Sequence, residues 1–157
     1  MKAASINEIK QELTVTSPVK LLELCVRLAK FKKENKELLS YLLFEANDET
    51  AYIERAKREI DDQFAGINRS NLYFVKKSLR KILRTTGRYI RQTGSRQIEV
   101  ELILYFCSVL EKSGIPLGKN TVLANLYQNQ IKKIAKLVAT LHEDLQYDYL
   151  KELKKLQ

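Results

Sequence analysis

A chain of 157 residues holds about one ordinary domain, long enough to bury a core without disulfides or a structural metal. Its composition, 45% hydrophobic and 30% charged, excludes wholesale disorder; five Gly, two Pro and no Trp leave little for the tight turns of sandwiches and barrels. One His and two Cys exclude most metal and nucleophile chemistry, while a net charge of +9 turns attention to anionic partners.

Helical periodicity runs along nearly the whole chain. Ser5-Ile6-Asn7-Glu8 is a capping box that opens a short first helix through about Leu13. Ser17-Pro18 places an N-cap before a proline at the first helical position. From there Val19, Leu22, Val26 and Ala29, with Leu21 and Leu28, line one face to about Lys33. Asn35 is the expected cap of a third helix carrying Leu38, Leu39, Leu42, Leu43 and Ala46. Asn47-Asp48 caps a fourth, roughly 49–66, closed by Gly66. A fifth runs from about Ser70 to Thr93, with Gly87 inside it as a kink or an early stop. Ser95 caps a sixth over 96–113, followed by Gly114 and Pro116. Asn120-Thr121 opens the last helical region, with a break near His142-Glu143-Asp144.

The 96–113 helix is apolar nearly all round (Leu102, Ile103, Leu104, Tyr105, Phe106, Val109, Leu110), so it should be central, with the amphipathic helices around it. The expected fold is all-α: one domain over 1–157, about six to seven helices in stacked antiparallel αα-hairpins, either α-solenoid-like or a globular bundle. Cys25 and Cys107, each among apolar neighbours, are expected as reduced core residues. The tail residues Leu141, Leu145, Tyr149, Leu153 and Leu156 form a sparse apolar stripe expected to pack on the core. The opening residues hold no apolar signal segment, and the longest apolar run, Leu102 to Leu110, is too short to cross a membrane; a cytoplasmic protein is expected.

Catalysis finds little material. His142 is the only His, so metal-ligand pairs of His cannot form, and no glycine-rich phosphate cradle is present. A Cys–His nucleophile would need Cys25 or Cys107 beside His142, which is followed by Glu143-Asp144. The acid pairs at Asp48-Glu49, Asp61-Asp62 and Glu143-Asp144 fit helix starts and solvated faces better than acid–base work. No cofactor is expected.

Charge is the informative feature. Residues 1–62 and 143–157 each carry a net −1, so +11 is packed into 63–142. The window 63–98 contains no acid and nine bases: Arg69, Lys76, Lys77, Arg80, Lys81, Arg84, Arg88, Arg91 and Arg96. At 100° per residue, Lys77, Arg80, Arg84, Arg88 and Arg91 fall on one stripe of the fifth helix, with Lys81 beside it and Tyr73 pointing the same way. Leu72, Val75, Leu79, Ile82, Leu83, Thr86 and Ile90 fall opposite and should pack inward. Arginine's planar fork suits phosphate or carboxylate.

The stripe has three readings. It is a solvated face, or it pairs with Glu54, Glu59, Asp61 and Asp62 of the fourth helix, or it is a polyanion surface made of Lys77, Arg80, Lys81, Arg84, Arg88, Arg91, Arg96 and Tyr73. A second basic set, Lys132, Lys133 and Lys136, lies on the last helical region, and the helix start at Gly94-Ser95-Arg96 offers N–H groups that Glu99 and Glu101 already complement. The sequence therefore points to a non-enzymatic helical binding protein, without membrane association, that engages nucleic acid or an acidic protein through the 77–91 face. The alternative is a protein-interaction scaffold with an apolar groove between helices, its charge incidental.

Overall fold

The computed structural model describes residues 2–157, which form eight α-helices and one short 3-10 turn, without strands. The helices are α1 (Ile6–Val15), α2 (Pro18–Phe31), α3 (Lys33–Phe44), α4 (Glu49–Ala65), α5 (Leu72–Thr93), α6 (Arg96–Lys112), α7 (Thr121–Val138) and α8 (Glu143–Lys155), with the turn at Leu117–Lys119 before α7. The class is as the periodicity predicts, with one or two helices more. The chain divides into two compact units, Met1–Glu45 and Ala46–Gln157.

The larger unit is a helical bundle around α6. This helix packs against α4, α5, α7 and α8, and it buries Ile98, Val100, Leu102, Ile103, Leu104, Phe106, Cys107 and Leu110. A helix apolar on every side has no face to give to water, which is why it sits at the centre. Phe64 and Phe106 meet with ring centroids 5.5 Å apart, and Ile60, Leu79, Ile82, Leu123 and Ile134 complete the core around them. The tail joins this core: Leu153 is buried, Tyr149 and Leu156 pack at its edge, and the Tyr127 hydroxyl donates to the Leu156 carbonyl at 2.8 Å. The break before α8 falls at His142, whose Nδ1 accepts from the Asp144 N–H at 3.4 Å.

The smaller unit is a pair of packed helices, α2 and α3, preceded by α1. Its helix starts follow local chemistry. Ser5 and Glu8 complete the capping box, and Ser17 Oγ accepts from the Lys20 N–H at 3.3 Å ahead of Pro18. Asn35 is not a cap. It lies in the first turn of α3, after a bare start at Lys32, and its amide donates to the Leu28 carbonyl at 2.8 Å, tying α3 to the last turn of α2.

The apolar residues of this unit are largely uncovered. Val19, Leu22, Val26, Leu28 and Phe31 of α2 are exposed, as are Leu38, Leu42, Leu43 and Phe44 of α3. Tyr41 is the one buried residue of the described part of the unit. Cys25, expected in the core, is exposed, and it lines an open groove between α2 and α3 with Leu28, Leu38 and Leu42. Cys107 is buried as expected; both thiols are free, and burial pushes Cys107 up to about 12.

A candidate polyanion-binding face on α5

The 22 residues of α5 form one uninterrupted helix from a start capped by Asn71, whose side chain accepts from the Phe74 N–H at 3.1 Å. Gly87 does not stop it. Gly94 ends it, with φ at +64° in the left-handed region that glycine adopts without cost. The inward face is set by Val75, Leu79, Ile82, Thr85 and Thr86, all buried. The two threonines are satisfied there: Thr86 Oγ1 donates to the Ile82 carbonyl at 2.9 Å, and Thr85 Oγ1 accepts from the Gln63 amide at 3.1 Å. Leu72 departs from the expected inward face and is 42% exposed, since it lies in the first turn, beyond the reach of the core.

With that face buried, the stripe is turned outward. Lys77, Arg80, Lys81, Arg84 and Arg91 are exposed, and among the described residues no carboxylate lies within 4 Å of any of them. From Lys77 to Arg91 the row spans about 21 Å at 1.5 Å per residue. Tyr73 heads the row, 67% exposed, its ring edge-on to Phe74 at 5.5 Å between centroids. Arg88 differs from its neighbours. It is half-buried, and its Nη2 stands 3.6 Å from Glu59 on α4.

The acids of α4 have other engagements. Glu59 accepts from the Tyr89 hydroxyl and from the Gln63 amide at 3.2 Å. Asp61 takes the Tyr105 hydroxyl at 2.7 and 2.8 Å. Glu54 lies 3.5 Å from Lys57, whose ammonium also reaches Glu101 at 2.8 Å and sits 5.4 Å from the centre of the Tyr105 ring. Of the stripe, Arg88 joins α4 through Glu59, while among the described residues Lys77, Arg80, Lys81, Arg84 and Arg91 have no carboxylate within 4 Å.

The remaining bases of the acid-free window scatter. Arg69 donates to the Ser113 carbonyl at 2.7 Å and serves to hold the α6 end against the loop before α5. Lys76 is partly buried. Arg96 is exposed but opens α6, so it lies beyond the end of the stripe and not on it. At that same helix start the Ser95 hydroxyl is used by the Ile98 N–H at 3.3 Å. The second basic set is on α7, which packs on α6 and α8; Lys133 is taken by Glu99 at 2.7 Å, leaving Lys132 and Lys136 exposed.

A cleft of about 570 Å³ beside α6 and α8 brings the carboxylates of Glu101 and Glu152 near Tyr105 and Tyr149. Glu101 is paired with Lys57 and Glu152 with Lys155 at 2.7 Å, and Glu111 also lines the cleft. Residue spacing did not single out Phe74 beside Tyr73, because a hydrophobic residue in a first helical turn reads as core. Nor did it reveal the exposed faces of α2 and α3, because an apolar stripe reads as buried until its partner is missing.

No helix among the described residues is long and apolar enough to cross a membrane. No family model, curated protein or solved structure matches the chain.

Proposed function

We propose that the protein is a non-enzymatic binding protein that engages nucleic acid, or a polyanion of like charge density, through the outward face of α5. The observation that carries this reading is the row of five exposed cations, Lys77, Arg80, Lys81, Arg84 and Arg91, without a carboxylate within 4 Å among the described residues. Like charges set this close on one rigid helix repel one another, at a cost that neighbouring acids usually relieve. An anionic chain relieves it instead. Three of the five are arginines, whose forked donors hold phosphate oxygens in pairs.

The test is fluorescence anisotropy of labelled oligonucleotides titrated with the protein at several salt concentrations. Dissociation constants below about 1 µM at low salt are expected, with a log–log salt slope near −3.5 for five cations on a single strand. Replacing Arg80, Arg84 and Arg91 together by Gln should lower that slope by about 2. Absence of binding at low salt, or binding indifferent to the triple substitution, overturns the reading.

A further inference from the structure

We infer that the ligand of the α5 face is single-stranded nucleic acid, with one unpaired base stacked on Tyr73 and the sugar-phosphate chain running along the cations that follow it, an inference that rests on the polyanion reading of that face and narrows it. A duplex, heparin or an acidic protein would satisfy the broader reading and fails the narrower one.

The row is narrow. At 100° per residue, Tyr73, Lys77, Arg80, Arg84 and Arg91 fall within an arc of about 60° on α5, and all five are exposed. Lys81 widens the exposed set to a span of about 100°. Of the other bases of α5, Lys76 is partly buried and Arg88 is engaged by Glu59. Leu83 and Ile90, farther round the helix, pack against the core.

A duplex sets its two rows of phosphate on either side of a major groove about 12 Å wide, which is the width of a helix with its side chains. A helix lodged there meets the two rows with opposite flanks. The exposed cations of α5 stand on one side of the helix, so they follow one row of phosphates, and one row is what a single strand has.

An aromatic ring lies in the same line. Tyr73 precedes Lys77 by one turn at the centre of the arc, and it is 67% exposed. Phe74 meets its ring at 73° with centroids 5.5 Å apart, and Phe74 is itself 38% exposed. A T-shaped neighbour covers a ring only in part, and this exposure leaves room for a flat partner. Every base has such a flat face, but only an unpaired base has it free. A row of cations that tracks the backbone, with an aromatic ring that takes a base, is the usual equipment of sequence-tolerant single-strand binding.

The spacing joins the two features. At 1.5 Å per residue, Lys77 lies about 6 Å along the axis from Tyr73, Arg80 about 4.5 Å farther and Arg84 about 6 Å beyond that. A base on Tyr73 therefore leaves its own backbone beside Lys77 and the next phosphates beside Arg80 and Arg84. The whole row from Tyr73 to Arg91 is about 27 Å long, the length of about eight nucleotides of a stacked strand.

The experiment uses the full chain with labelled ligands of about ten nucleotides, enough to span the row. They are a single DNA strand, a single RNA strand, the DNA duplex, and an abasic strand that keeps the phosphates without the bases. Anisotropy at about 0.15 M ionic strength, where exposed charges are well screened, should show both single strands bound about five- to a hundredfold more tightly than the duplex and the abasic strand. Tyr73→Trp supplies a second readout, because the chain has no Trp of its own and the side chain is mostly in water. Its fluorescence should be quenched by the single strands and unchanged by the abasic strand. Equal affinity for all the ligands, or tighter binding of the duplex, overturns the inference and leaves the polyanion reading in place. An unquenched Trp alongside a preference for single strands puts the base elsewhere and overturns it equally. Absence of binding to every ligand at low salt overturns both readings.

Discussion

Arg88 and Glu59 stand 3.6 Å apart across the α4–α5 packing, and this pair separates Arg88 from the other arginines of its stripe. The same carboxylate accepts the hydroxyl of Tyr89, the next residue along α5. Tyr89 in turn packs on Tyr52 at 5.3 Å between ring centroids, and the Tyr52 hydroxyl donates to the Tyr89 carbonyl at 3.1 Å and to Gln92 Oε1 at 2.7 Å. At this point of α5 the polar side chains hold two helices together, whereas a turn earlier Arg84 is exposed, with no carboxylate within 4 Å among the described residues.

The two arginines should therefore answer differently to the same substitution. Arg84→Gln is expected to weaken oligonucleotide binding about three- to tenfold and to lower the salt slope by about 0.7, with the melting temperature unchanged. Arg88→Gln should do the reverse: a smaller change in binding, with a loss of about 0.2–1 kcal/mol in stability, the range of a partly exposed ion pair. Salt-dependent anisotropy and thermal melts of the two variants side by side make the comparison. Equal binding losses would mean that Glu59 does not withhold Arg88 from the ligand.

Alkaline titration should reveal three tyrosines at the edges of the core. Tyr89, Tyr105 and Tyr127 are each pushed from the ordinary 10.0 up to about 12, in every case chiefly by burial, with the Glu59 and Asp61 hydrogen bonds adding to the shift at Tyr89 and Tyr105. An acid whose folded pKa lies above its unfolded one binds its proton more tightly in the folded state. The stability it contributes is then full below pH 10 and is lost as pH rises from 10 towards 12. Urea midpoints measured across that window should fall, and phenolate absorbance should show these three ionising above pH 10. Tyr89→Phe together with Tyr105→Phe and Tyr127→Phe should flatten the fall. Ionisation of these three near pH 10 would contradict the packing around them.

Periodicity carries most of the helix map because most helix starts have a local cause: Ser5, Ser17, Asp48, Ser95 and Asn120 each cap a helix with their own side chains. The central place of α6 was likewise legible, since a helix apolar all round has one stable environment. Asn35 misled because its chemistry suits a cap equally well, and only the position of Leu28 across the hairpin decides its partner. Cys25 misled for a related reason. An apolar neighbourhood in sequence measures the need for burial, and whether a covering helix exists is a tertiary fact. The basic stripe was visible at single-residue spacing, but the isolation of Arg88 and the diversion of Arg69 to the Ser113 carbonyl depend on contacts 29 and 44 residues apart along the chain.

Gly87 gives a direct probe of whether α5 works as one rigid rod. Its φ is not in the left-handed region, and a Cβ placed there would meet Arg91 Nη1 at 3.5 Å, an ordinary contact with a flexible side chain. Gly87→Ala should then stabilise the protein by about 0.5–1 kcal/mol, through helix propensity alone, and raise the melting temperature by a few degrees. Oligonucleotide affinity should hold or rise slightly, since the stripe on both sides stays in register. Destabilisation on thermal melting would indicate that α5 needs to bend at this position.

Tyr73 distinguishes a stripe that reads only charge from one that also reads bases. Its ring heads the row of cations, two-thirds exposed, with Phe74 edge-on beside it, so an unpaired base can lie on its open face while phosphates follow Lys77, Arg80 and Arg84. Stacking of this kind is worth about 1–3 kcal/mol per base and is closed to a duplex, whose bases are already stacked. Tyr73→Ala should therefore weaken a single-stranded oligonucleotide about five- to a hundredfold while leaving duplex DNA and heparin almost unchanged. Tyr73→Phe should keep most of the affinity because the ring remains. Anisotropy with the three ligands, at one salt concentration, settles the matter: equal losses on all three would show that Tyr73 acts by shaping the start of α5, and no loss on any would remove it from the site.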